Sequence, residues 1–242
     1  MILNTLFYAY IGRVSNLFSF ASLFRFVICL SFNYIKSFAS SFASKDLPVH
    51  VLVNNAGLVE NKRTTTPEGF ELNFAVDVLG TYTMTEPMLP LLEKASPDAK
   101  SSPSSLVECT RRHLLQIFSG EKFNGVLQYA WNKRIQVALT EKWGGKYKNK
   151  GIDFYSMHPG WAETPGVARS LPSFKESFSG KLRTSEGADT VVWVALQPKE
   201  KLVSSAFYFD RAEAPKHLTL AGTSKSHDLI DCHRYRAFHG SS

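Results

Sequence analysis

Cysteine is scarce in this chain: Cys29, Cys109 and Cys232 are the only three in 242 residues, far apart and odd in number. They build neither a disulfide framework nor a Cys-x-x-Cys metal pair, and a reducing compartment is the default reading. The seven histidines, among them His158, His217 and His233, contain no His-x-x-x-His spacing, so no metal site is expected. A basic block is missing too. Lys and Arg number 28 against 21 Asp and Glu, a net charge of +7, yet these cations are scattered. That spread argues against a polyanion-binding face, so no nucleic-acid partner is expected, while the surplus suits a single anionic nucleotide or an anionic lipid.

Acidic residues are absent from the first 44 positions, which are rich in Phe and Ser and broken only by Arg13, Arg25 and Lys36. This composition sets residues 1–34 apart as an atypical hydrophobic leader. Its densest part, residues 17–35, is nearly long enough to span a bilayer, but Arg25 near its middle would cost about 2.5–3.5 kcal/mol on insertion scales. Three readings stay open: membrane association through residues 17–35, mitochondrial targeting, since Arg and Ser without acids is a transit-peptide signature, and a leader with no evolved role. The cytoplasm is the default location.

Residues 35–225 are expected to form one α/β domain, and residues 226–242, without a trustworthy period, a disordered tail. Ile35, Phe38 and Phe42 mark a helical face, and residues 49–53 form a buried strand closed by Asn54 and Asn55. Pro67, with Glu68 and Glu71 after it, opens a helix whose apolar stripe of Phe70, Phe74, Leu79, Tyr82, Met88 and Leu92 runs to Lys94. Residues 125–148 form another helix, 151–158 a strand, 185–196 a short helix capped by Ser185, and 206–209 a closing strand. Helices alternating with short apolar strands imply a Rossmann-like, doubly wound parallel sheet. Between Ser96 and Gln116 the alternation fails, because Ser-Pro-Asp-Ala-Lys-Ser-Ser-Pro-Ser-Ser is loop composition where a central strand should stand.

Tyr129 and Lys133 are four residues apart on the third of these helices and so emerge from one face. A phenol is a poor proton donor or acceptor at neutral pH, and a nearby ammonium improves it by stabilising the phenolate. Such pairs also arise by chance on helices. Asn54-Asn55-Ala56-Gly57 follows a strand at the carboxyl edge where doubly wound sheets bind ligands, although Asn and Gly make ordinary turns as well. The segment His158-Pro159-Gly160-Trp161-Ala162-Glu163-Thr164-Pro165-Gly166 follows the next strand at the same edge.

Strand-Asn-Asn-Ala-Gly, then Tyr-x-x-x-Lys, then strand-Pro-Gly-x-x-x-Thr, in this order and at these separations, resembles the short-chain dehydrogenase/reductase superfamily over residues 35–225. Residues 50–57, 129–134 and 156–166 look most like one particular member of it. The resemblance implies an oxidoreductase using NADP or NAD on a small alcohol or carbonyl substrate. It makes Tyr129 the general acid/base and gives Lys133 the ribose and the tuning of Tyr129. Asn55, Ala56 and Gly57 would line the adenosine side, and Pro159, Gly160, Trp161 and Thr164 the nicotinamide. It also implies a homo-oligomer built on the long helices.

Against that pattern the chain departs in three places. Gly12 is the only glycine before Gly57, so the family's N-terminal glycine-rich turn for the pyrophosphate is not found and the first βαβ unit is incomplete. The family's catalytic serine should end the strand before the Tyr129 helix, where this chain offers only Ser104 and Ser105 within the aberrant run. Codons for a family-like strand ending in serine, read one nucleotide out of phase, can yield residues 100–110. Asp77 stands where the family has a helical asparagine, and two readings stay open: a carboxylate that pairs with Lys133 and alters the proton relay, or a surface aspartate. These departures leave open a catalytically silent member that acts by dimerisation or at a membrane.

Overall fold

The computed structural model describes residues 7–10, 32–96, 99–103, 123–159 and 189–217. Among these residues the strands form two sheets. In the first, strands β1 (Phe7–Tyr10), β2 (Val51–Asn54), β3 (Ala99–Pro103) and β4 (Ile152–Phe154) lie in that order, with β2, β3 and β4 parallel and β1 antiparallel at the edge. In the second, β5 (Ser156–His158) pairs in parallel with β6 (Phe207–Phe209), which turns back antiparallel into β7 (Ala212–Ala214). The expected strand over 151–158 is therefore divided. At Tyr155 the extended chain leaves β3 and joins β6, where Ser156 donates its N–H to the Ala206 carbonyl at 3.1 Å.

Helix α1 (Phe32–Ala43) buries Ile35, Ala39 and Phe42 on one stripe, close to the face expected, with Phe38 packed at its margin. It joins helix α3 (Gly80–Lys94), helix α4 (Gly125–Tyr147) and the inward side chains of β2 to β4 in one core that includes Leu52, Met88, Leu92, Trp143 and Phe154. Helix α5 (Asp189–Leu196) packs through Val194 and Trp193 on a second cluster with Tyr155, Met157 and Tyr208. Successive strand residues face opposite ways. Ala99 accordingly enters the α1, α3 and α4 core, whereas the buried Lys100 reaches the C-terminal carbonyls of α5: Ala195 at 3.2 Å, Val194 at 3.5 Å and Gln197.

Three expectations are corrected here. The run from Ser96 is not loop throughout, because Ala99–Pro103 is the central strand, hydrogen-bonded to β2 on one side and β4 on the other. A slot between two strands satisfies backbone groups whatever the side chains, and that outweighs weak strand propensity. Pro67 does not open a helix. It follows Thr66 in a turn closed by Gly69 N–H to the Thr66 carbonyl at 2.9 Å, and helix α2 (Leu72–Phe74) begins later, where the Glu71 carboxylate accepts from the N–H groups of Asn73 and Phe74. Finally, α2 does not run smoothly into α3: Ala75–Leu79 is a π-helical turn, with Gly80 N–H bonded to the Ala75 carbonyl. The β6–β7 hairpin was not expected. Its turn residues Asp210 and Arg211 both have positive φ, 51° and 61°, the geometry of a tight hairpin turn.

Among the described residues no helix is long and apolar enough to cross a membrane. Of residues 17–35 only the last four, at the start of α1, are described, so the leader's proposed span lies outside the description, as do the tail 226–242 and the proposed cap Ser185.

Candidate active site

The end of β2 and the N-terminal half of α4 meet over the π-turn. Helix α4 starts at Asn124, whose side chain accepts the Leu127 N–H at 3.0 Å. Gly125 is required there, since a side chain on it would run into the Glu60 carbonyl and lie 2.7 Å from Asn61 Cα. This close approach fixes α4 against the loop that follows β2. Two side chains one helical turn apart, Asn73 and Asp77, hold the same loop. Asn73 accepts the Glu60 N–H at 2.7 Å and donates to the Glu60 carbonyl at 3.0 Å, while Asp77 Oδ1 accepts the Leu58 N–H at 3.1 Å.

From α4, Tyr129 is half-buried and Lys133 almost wholly buried, with Nζ 5.2 Å from the centroid of the Tyr129 ring. Nζ lies 3.9 Å from Asp77 Oδ1, and both side chains are inaccessible to solvent to within 4%. A Cβ placed on Gly57 would meet this Nζ at 2.9 Å. Asn132 donates to Asp77 Oδ2 at 3.2 Å and accepts from Gln128 at 3.0 Å. The Asp77 carbonyl accepts from the Thr81 hydroxyl at 2.9 Å and from the Gln136 amide.

Burial governs the charges. It pushes the Asp77 carboxyl up to about 6, against the pull of Lys133, Asn132 and the Leu58 N–H, with Glu71 adding a little in the same direction as burial. Burial likewise pushes the Lys133 ammonium down, opposed by Asp77. His158, at the end of β5, is lowered to about 4 by burial first and by Lys133 second. Its ring sits edge-on to Phe209 at 5.1 Å.

Of the residues singled out in the sequence, Tyr129, Lys133 and Gly57 come together, and Asp77 does pair with Lys133. Asn55 is exposed at the strand end, and Ala56 is buried in the main core, where its methyl packs against apolar neighbours. Pro159 follows β5 and is half-buried, whereas Gly160, Trp161, Thr164, Ser104 and Ser105 lie outside the described residues. Sequence reasoning missed Asn73, Gln128 and Gln136. The spacing of Asn73 and Asp77 was the available signal.

This geometry can be set beside known proteins. No protein-family model matches the chain. Curated relatives do. Dehydrogenase/reductase SDR family member 12, the member its motifs most resemble, is 43% identical in Homo sapiens over 183 residues, 74% of this chain, and 41% identical in Bos taurus over 187. Retinol dehydrogenase 11 of Homo sapiens is 31% identical over 182 residues. The chain spans 57% of the length of each of these relatives. Among solved structures, NADPH-bound carbonyl reductase from chicken fatty liver superposes with a TM-score of 0.54 over 75% of this chain and 71% of that one, at 19% identity. A 3-ketoacyl-(acyl-carrier-protein) reductase from Brucella melitensis, complexed with NADH, gives 0.55 over 75% and 74%, also at 19% identity. Motif order, a Rossmann-like parallel sheet and these relatives agree, and the chain belongs to the short-chain dehydrogenase/reductase family.

Proposed function

We propose that this chain serves hydride transfer between a nicotinamide cofactor, NADP or NAD, and a small alcohol or carbonyl substrate, with Tyr129 moving the proton and Lys133 holding ribose and tuning the phenol. The observation that carries this reading is the position of the Lys133 ammonium beside the Tyr129 ring and against the Gly57 backbone, at the carboxyl edge of the parallel strands. A phenol and an ammonium are both hydrogen-bond donors, which suits ribose hydroxyls and a substrate carbonyl, and glycine at 57 leaves the strand end without a side chain. The donor set therefore fits a nicotinamide nucleotide. When bound, that group supplies the hydride and accepts it back.

The chain's own residues divide the remaining tasks. Asn55 and Gly57 would hold the adenosine side, with Ala56 anchoring them in the core, and Pro159, Gly160, Trp161 and Thr164 the nicotinamide side. Tyr129 gives its phenolic proton to the developing alkoxide in reduction and takes it back in oxidation, and the Lys133 charge favours the phenolate in between. The retinol dehydrogenase relatives favour an alcohol or aldehyde substrate of low polarity.

Titration of the full chain with NADPH and NADH, followed by cofactor fluorescence, tests the reading. Micromolar saturation, lost chiefly in Lys133→Ala and with turnover lost in Tyr129→Phe, is the expected result. No saturation at millimolar cofactor would replace it with a catalytically silent member that acts by dimerisation or membrane association.

A further inference from the structure

The buried carboxylate beneath the Tyr129 and Lys133 pair is fully enclosed, and each of its oxygens is engaged. Oδ1 takes the Leu58 N–H at 3.1 Å from the loop after β2, and Oδ2 takes the Asn132 amide at 3.2 Å from α4. Lys133 Nζ approaches to 3.9 Å, a charge contact rather than a hydrogen bond. The two donors fix the carboxylate in place, and the charge is what reaches Lys133. A buried ammonium with no counter-charge is costly enough to shed its proton. The Asp77 carbonyl, in the π-turn, is held as well, by the Thr81 hydroxyl and the Gln136 amide.

We propose that Asp77 is a positioning residue of this site: its carboxylate keeps the Lys133 side chain an ammonium and holds it against the Gly57 backbone, where a nucleotide would meet it. The functional consequence rests on the redox reading of Tyr129 and Lys133; the charge coupling does not. Among the described residues, ionisable groups that bear on the pair include Glu71 at the cap of α2, His158 at the end of β5 and Tyr129 on α4 itself. Burial raises Asp77 to about 6 and, with Lys133, lowers His158 to about 4, so the two move apart.

The test needs no cofactor. The full chain is labelled with 13Cε-lysine, the Lys133 signal is assigned by its loss in Lys133→Met, and the signal is followed from pH 5 to 11. In the unmodified protein the Lys133 signal should show a small inflection near pH 6 and its own titration above it. In Asp77→Asn the lower inflection disappears and the Lys133 midpoint falls by about one pH unit or more. Asp77→Glu should restore most of that loss. Asn132→Ala, which keeps the carboxylate and its charge, should leave the midpoint at or above that of the unmodified protein. An unchanged Lys133 midpoint in folded Asp77→Asn overturns the proposal, and so, should that variant not fold, does a Lys133 signal in the unmodified protein that shows no inflection where Asp77 titrates. Failure of NADPH and NADH to bind would remove the redox reading and leave this result standing.

Discussion

The Lys133 ammonium rests against the Cα side of Gly57, 2.9 Å from where a Cβ would stand, so a helix side chain and a loop backbone share one small volume at the β2 edge. The atom in the way is the far end of a flexible side chain, which can swing aside at little steric cost. Parting it from Asp77 weakens a buried ion pair, so Gly57→Ala should lower the urea unfolding free energy by about 1–3 kcal/mol. It should also weaken nucleotide binding, as read by cofactor fluorescence, by on the order of tenfold, because the ammonium is displaced from Asp77. Unchanged nucleotide binding would show that the ammonium keeps its place.

Gly125→Ala should cost stability for a different reason. Here the obstacle is backbone, the Glu60 carbonyl and Asn61 Cα at 2.7 Å, and neither can swing away. Overpacking of this kind costs about 1–3 kcal/mol, so the urea midpoint should fall clearly. A variant as stable as the parent would mean that α4 does not press on this loop.

Lys100→Met should cost about 1–3 kcal/mol of stability, measured by urea unfolding. Methionine keeps most of the apolar stem but removes the ammonium that donates to the last carbonyls of α5, among them Ala195 at 3.2 Å. An unchanged midpoint would show that water replaces the ammonium freely.

His158 predicts a pH effect. Its imidazole is lowered to about 4 in the fold, from an ordinary 6.5, so between these values the unfolded chain binds the proton and the folded one does not. Its contribution to stability is present above 6.5 and is lost as pH falls towards 4. His158→Gln should remove a loss on the order of 2–3 kcal/mol, read as a smaller drop in unfolding free energy from pH 7 to pH 4.5. Asp77 acts with the opposite sign: raised from 3.8 to about 6, it favours the fold at low pH and loses that contribution as pH rises through 6. An identical drop in His158→Gln and the parent would contradict the assignment.

His217 should be found as a single tautomer. The Arg134 guanidinium, which can only donate, contacts Nδ1 at 3.1 Å, and Nε2 lies 2.8 Å from Glu141 Oε1. Nδ1 must therefore be the bare nitrogen and Nε2 the N–H donor, a pattern that long-range 15N–1H correlation spectra read directly. A protonated Nδ1 would mean that this contact between α4 and the segment after β7 is not made.

Where a short segment's own chemistry dictated its state, the sequence was sufficient. The apolar run at 51–53, the stripe of Ile35 and Phe42, and the four-residue step from Tyr129 to Lys133 all report local geometry, with periods of 2 or 3.6 residues. They made β2, α1 and α4 legible, and with them the family. The helix start at Leu72 was misread because Pro67 is as much at home in a turn as at a helix start, and only the Glu71 carboxylate meeting the Asn73 and Phe74 amides separates the two.

The residues by themselves determined the motifs, the class of fold and the candidate pair, because each depends on neighbours within a turn or two of chain. Tertiary structure alone decided that Ala99–Pro103 is the central strand, since its hydrogen-bond partners lie some 50 residues away on either side. It also decided the state of Asp77, which belongs to a different helix from Lys133 and is buried with it only after α2, α4 and the loop from β2 have packed together. Burial, and with it the electrostatics of the site, is a property of distant segments brought into contact, and no window of local sequence contains it.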